Sequence, residues 1–102
     1  MITITMHRDK KHRYTGFTIS GHADYDEAGS DIVCAAVSAL SQTALLGLMQ
    51  YASQDVPYEV NDGFLSVQVP KPCEASQIIL GTMVAGLEQI VRQYGEYVVL
   101  DS

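Results

Sequence analysis

The chain has no tryptophan, only two cysteines in 102 residues, and six Lys and Arg against twelve Asp and Glu. Two cysteines are too few for a disulfide scaffold, and a reducing cytoplasm is the expected setting. The opening residues, MITITMHRDKKHR, carry their charges after the apolar stretch and contain no h-region, so they do not read as a secretory signal. No uninterrupted apolar run reaches the roughly 18 residues that a membrane span requires, and no membrane partner is expected. A formal net charge of -6 argues against a general nucleic-acid binder. No Gly-rich phosphate loop and no CxxC or HxxxH spacing is present, so neither a cofactor nor a metal is expected.

What remains is a chain that is 47% hydrophobic and 18% charged, a composition that folds. Its length suits one domain, residues 1–102, with one core. Ile2, Ile4 and Met6 alternate with Thr3, Thr5 and His7, which predicts a strand with one buried face. Asp9 to His12 is a polar turn, and Tyr14, Phe17 and Ile19 mark a second strand with Gly16 as a bulge. Steps of three and four from Val33 to Leu48 predict a long helix over 31–53. Leu45, Leu46 and Met49 widen its apolar face, so it is expected to be mostly buried, with Ser30 or Asp31 as N-cap. Asn61-Asp62-Gly63 predicts a hairpin turn between strands at 57–60 and 64–69. A second helix is predicted over 74–94, with Gly95 at its C-terminal end, and a last strand over 97–100. The expected class is α+β, a two-layer sandwich in the order β-β-α-β-β-α-β, with a mostly antiparallel sheet and two helices.

Residues 21–40, GHADYDEAGSDIVCAAVSAL, bear the chemistry. His22 stands at a strand end, and Cys34 follows in the first turn of the long helix. The helix dipole and free amides favour a thiolate there, and a histidine beside it can take and return a proton. Cys34 and Ser38 are i and i+4, on one helical face. An Asp31 cap would bond the Cys34 amide, although that amide is also a candidate oxyanion donor. Against this reading, cysteine is a common core residue, and a lone histidine is more often a surface group. The loop before the helix holds Asp24, Asp26 and Glu27 between Gly21 and Gly29. Its acids could attract a basic partner, although charge runs are usually just solvated, and its glycines could act as hinges or simply serve turn geometry.

Gly21-His22-Ala23 followed by Asp31-Ile32-Val33-Cys34-Ala35-Ala36-Val37-Ser38-Ala39-Leu40 resembles the signature of the ribosomal-processing cysteine proteases. The resemblance extends over essentially the whole chain. It implies a Cys34 nucleophile, a His22 general base, and Asp31 and Ser38 as supporting residues. It also implies a bacterial cytoplasmic homodimer that removes the N-terminal extension of a large-subunit ribosomal protein, the twenty-seventh of that subunit, cutting beside bulky apolar residues.

Two other classes compete with this one: a non-enzymatic assembly module that binds a ribosomal-protein tail, and a thiol redox sensor using Cys34. Cys73, near the start of the second helix, could also have a lowered pKa. It lacks a histidine neighbour in sequence and reads as structural. The basic run Arg8–Arg13 reads as a solvated hairpin turn rather than an RNA contact, and Met49 and Met83 read as core or dimer surface.

Overall fold

In a computed structural model, the structure describes residues 1–22, 30–52 and 54–102, the side chains of Ser30 and Asp31 excepted. The elements are β1 (Ile2–Arg8), β2 (Tyr14–Ser20), α1 (Ser30–Tyr51), β3 (Tyr58–Asn61), β4 (Phe64–Gln68), α2 (Glu74–Tyr94) and β5 (Val98–Asp101). The five strands form one sheet in the order β3-β4-β2-β1-β5, antiparallel except for the parallel β1–β5 pair. This is the α+β order that the periodicities predict.

Alternation in β1 sets the layering. Ile2, Ile4 and Met6 are buried, and opposite them on the same face lie Ile19 and Phe17, then Leu65 and Val67. Val33, Val37, Leu48, Leu80, Met83 and Leu87 complete the core from the helices. Burying side chains such as Phe17, Leu80 and Leu87, all at 0% exposure, stabilises the fold by roughly 1.5–3 kcal/mol each.

The bulge falls where glycine predicts it. The β1–β2 register shifts between His7 and Arg8, so that Thr15 is the extra residue. Gly16 takes φ 152°, and a Cβ there would overlap the Val67 carbonyl. The Tyr14 backbone beside the bulge is recovered by a side chain of α2. Its amide donates to Gln77 Oε1 (2.6 Å), and its carbonyl accepts from Gln77 Nε2 (2.9 Å). One amide side chain thus stands in for a strand and ties α2 to β2.

Three expectations change. Ser30 is already helical, so neither Ser30 nor Asp31 is the N-cap, and α1 ends at Tyr51 rather than residue 53. α1 is not mostly buried: Ile32, Leu46 and Met49 are 63%, 57% and 39% exposed. With one apolar face in the core and another outside it, residues 32–51 are long and apolar enough to cross a membrane by length and composition. A periodicity count registers apolar positions without showing whether anything covers them. Gly95 does stand at the C-cap of α2, but in the right-handed region (φ -59°), so its special freedom is not used.

The β1–β2 turn is held by Asp9. Its Oδ1 accepts from the Lys11 and Arg13 amides (2.9 and 3.0 Å), and its Oδ2 meets Arg13 Nε at 2.9 Å. The Arg13 amide above all, then the Arg13 guanidinium and the Lys11 amide, hold this carboxyl below the usual aspartate range despite some desolvation. A depressed native pKa gives stabilisation that is complete above the unfolded-state pKa and disappears as pH falls through the native one. The urea midpoints of wild type and Asp9→Asn should therefore differ at pH 7 and converge in strong acid; a gap that persists unchanged at low pH would show that the carboxylate charge is not the stabilising feature.

Candidate functional site

The site lies where the end of β2, the β3–β4 turn and the first half of α1 meet. Register brings the first two together. Thr3 pairs with Ser20, Ser20 with Phe64, and Phe64 with Asn61, a continuous row across four strands. One step beyond it, the Gly21 amide donates to the Gly63 carbonyl (2.9 Å), and the His22 carbonyl accepts from the Met1 amine (2.5 Å). The Gly21–His22 segment is therefore held on both sides by continuation of the sheet.

The turn also supports the ring. Gly63 adopts φ 72°, and a Cβ there would overlap His22 Nε2 and lie 2.9 Å from Cε1. Asp62 Oδ1 stands 3.8 Å from His22 Nε2, an ion pair when the ring is protonated. Both side chains are open to solvent, at 58% and 101%, so this contact orients weakly. The turn was legible as a turn, but its place beside His22 was not. Only the β2–β4 register gives it that place.

A cleft of about 230 Å³ joins these residues to α1. His22, Gly21, Asp62 and Gly63 line it from the sheet, Cys34, Ser38 and Gln42 from α1, and Val60 from β3. Cys34 is half-buried and packs against the core, while Ser38, one turn on, is exposed. The predicted His22, Cys34, Ser38 and Gly21 thus share one cavity. Among the described residues no hydrogen bond joins Cys34 to His22. Asp24, Asp26, Glu27 and Gly29 lie outside the described residues, as does the side chain of Asp31.

Cys34 sits later in α1 than the sequence suggests. A helix beginning at Ser30 gives its free amides to residues before Val33, and the Cys34 amide donates to the Ser30 carbonyl. That amide is therefore no longer a free oxyanion donor. Nor is it held by an Asp31 cap, since Asp31 is the second residue of the helix.

The helix-terminal cysteine is instead Cys73, the N-cap of α2. Its Sγ accepts from the Ser76 amide (3.5 Å), while the Ser76 hydroxyl accepts from the Cys73 amide (2.9 Å). The Ser76 amide first, then its hydroxyl, lower the Cys73 pKa from the ordinary cysteine range. Cys73 lies past the Gln68 end of β4, whereas His22 adjoins the Phe64 end. Its thiol caps a helix, whereas Cys34 lines the cleft that His22 also lines. Among the described residues no group of three or more His, Cys, Asp and Glu is placed to hold a metal ion.

The family profile described as "Cysteine protease Prp" matches residues 1–99. The ribosomal processing cysteine protease Prp of Staphylococcus aureus is 34% identical over 99% of this chain and 98% of its own. That of Bacillus subtilis is 27% identical over 92% and 90%. A crystal structure of the S. aureus protease with a covalently linked product peptide superposes with a TM-score of 0.88 at 30% identity, over 99% of this chain and 98% of that one. A second, with a substrate peptide, gives a TM-score of 0.85 at 27% identity, with the same coverage of both chains.

The support of His22 by the turn has a direct check. Gly63→Ala places a methyl against the imidazole in a left-handed conformation and should destabilise the fold by about 1–2 kcal/mol. It should also shift the His22 ring resonances in NMR spectra while leaving those of His7 and His12 in place. Unmoved His22 resonances would mean that the ring does not rest on Gly63.

Proposed function

Since the chain belongs to the Prp family of cysteine proteases, we propose that it is a cysteine endopeptidase with Cys34 as nucleophile and His22 as general base and acid. The observation that carries this reading is the shared cleft, into which the end of β2 brings His22 and α1 brings Cys34 and Ser38. A peptide captured covalently by the S. aureus relative supports it.

Asp62 and Gly63 lie against Nε2, which leaves Nδ1 of His22 for the thiol. Nδ1 takes the Cys34 proton, and the sulfur attacks the scissile carbonyl to give a tetrahedral oxyanion. Collapse breaks the C–N bond as the imidazolium protonates the departing amine, leaving a thioester. His22 then deprotonates water, whose attack releases the acid and restores the thiol. Ser38 and Asp31 support the nucleophile's segment of α1, and Ser38 borders the cleft.

As substrate we assign the N-terminal extension of a large-subunit ribosomal protein, the twenty-seventh, processed in the cytoplasm. Ribosomal-protein tails are basic and this chain carries a net charge of -6, so encounter is electrostatically favoured, with Asp24, Asp26 and Glu27 as contributors. A second copy of the chain is the expected cover for the outer face of α1. Ile32, Ala39 and Leu46 recur there every seven residues, with Ala35 and Met49 beside them, an exposed heptad seam.

Incubation with the extended ribosomal protein of the same organism, followed by mass spectrometry of the new N-terminus, tests the function. Cys34→Ala and His22→Ala should each lower kcat/KM by about 10³-fold or more while keeping the fold. Asp62→Asn should cost no more than about fivefold, the measure of an exposed ion pair. Full cleavage by Cys34→Ala overturns the assignment, and binding without turnover by the wild type favours the assembly-module reading. For the dimer, Leu46→Glu should convert the sedimenting species to monomer; an unchanged dimer would place the seam elsewhere.

A further inference from the structure

β3 ends the sheet beside the cleft, and all four of its residues, Tyr58–Asn61, are exposed. The phase of its ladder is fixed by two observations. The Gln68 amide donates to the Pro57 carbonyl (2.9 Å), and Tyr58 stands opposite Val67. Pro57 and Gln68 therefore form a hydrogen-bonded pair, and antiparallel pairs alternate between bonded and non-bonded. Glu59–Ser66 and Asn61–Phe64 are then bonded, and Tyr58–Val67 and Val60–Leu65 are not. The amides and carbonyls of Tyr58 and Val60 point outward in the plane of the sheet, where no described strand receives them.

Folded proteins blunt such an edge with proline, lysine or a bulge. Tyr58–Asn61 contains no Pro or Lys, and its ladder runs without a register shift. The side chains of Tyr58 and Val60 lie on the helix side, opposite the buried Val67 and Leu65, yet remain 54% and 55% exposed. Val60 also lines the cleft with Cys34, Ser38 and His22. The edge is open, apolar on one side and continuous with the reactive groups.

We propose that β3 is a substrate-pairing edge. An extended peptide adds beside Tyr58–Asn61 as a sixth strand and bonds through the outward backbone groups of Tyr58 and Val60. It lays alternate apolar side chains against theirs and carries its scissile bond into the cleft. This rests on the proteolytic reading above and deepens it. Backbone pairing supplies affinity, and the period of two supplies specificity. A peptide suits this edge better than a second copy of the chain. Glu59 and Asp62 lie on β3 and its turn with no basic residue among 58–63, so self-pairing would set like charges together while a basic peptide is attracted.

The test uses the full chain carrying Cys34→Ala, so that binding is read without turnover, and a synthetic peptide spanning the extension junction of the ribosomal protein. Val60→Pro removes one outward N–H, touches no β3–β4 bond, and blocks pairing along the edge. Anisotropy titration should show binding weakened about tenfold or more, the equivalent of one to two backbone hydrogen bonds, and Val60→Thr, which restores the N–H, should recover most of it. Independently of any protein variant, N-methylation of successive peptide amides should weaken binding at every second position. Wild-type binding by Val60→Pro together with no alternation in the N-methyl series overturns the edge proposal alone. A dimer lost in Val60→Pro with peptide binding intact also overturns it and makes β3 a seam between copies. No peptide binding by the parent chain overturns this proposal and the proteolytic reading together.

Discussion

The molecule depends on one pairing, that of β2 with β4. β1 and β2 are neighbours in sequence and find each other through a short turn, as do β3 and β4. Nothing local joins these two hairpins. The ladder from Gly16–Gln68 to Ser20–Phe64 joins them, and its register is narrowly determined. A slip of one residue would turn Leu65 and Val67 from the core to the open face. Gly16 reinforces the same register, because only a residue without Cβ can lie against the Val67 carbonyl. At the opposite end the register delivers Gly21 to Gly63 and the imidazole of His22 to the turn. Core packing and the placement of His22 are two consequences of one alignment.

This explains which features the sequence disclosed. Strands β1 and β2, both helices and the Asn61-Asp62-Gly63 turn are local, and a period of two, a period of 3.6 and a turn triplet announce them. Cys34 and His22 stood out through their place in one motif, and the structure brings both to one cleft. Asp62 and Gly63 as neighbours of His22 did not stand out, because their position is set by a ladder between segments far apart in the chain. Gln77 was hidden for a similar reason: nothing marks a helical glutamine as the substitute partner of a bulged strand. Cys73 escaped as a cap because Ser, Thr, Asp and Asn are the usual capping residues. A thiol that accepts from Ser76, backed by a buried Ser76 that returns a bond, does the same work.

The two cysteines also separate two ideas often merged. Thiolate stabilisation at a helix N-terminus is a matter of free amides, and here Cys73 receives it. Reactivity toward a peptide needs a proton acceptor and a place for the carbonyl as well, and in the proposed function the cleft that Cys34 shares with His22 serves for both. A helix start alone would select Cys73, and the cleft shared with His22 is what favours Cys34 in the proposed function.

α1 shows how a small domain accommodates several tasks on one element. At 100° per residue, Val33, Val37, Ala44 and Leu48 form the stripe that enters the core. Cys34, Ser38 and Gln42 form the next stripe, along the wall of the cleft. Ile32, Ala39 and Leu46 form a third, turned outward. The stripes are adjacent, so Cys34 lies between a packed surface and an exposed apolar face. A core of this size leaves no interior for an active site. Chemistry must occupy the rim, where helix, sheet end and edge strand converge, and where the same open backbone that threatens aggregation is available to hold an extended chain.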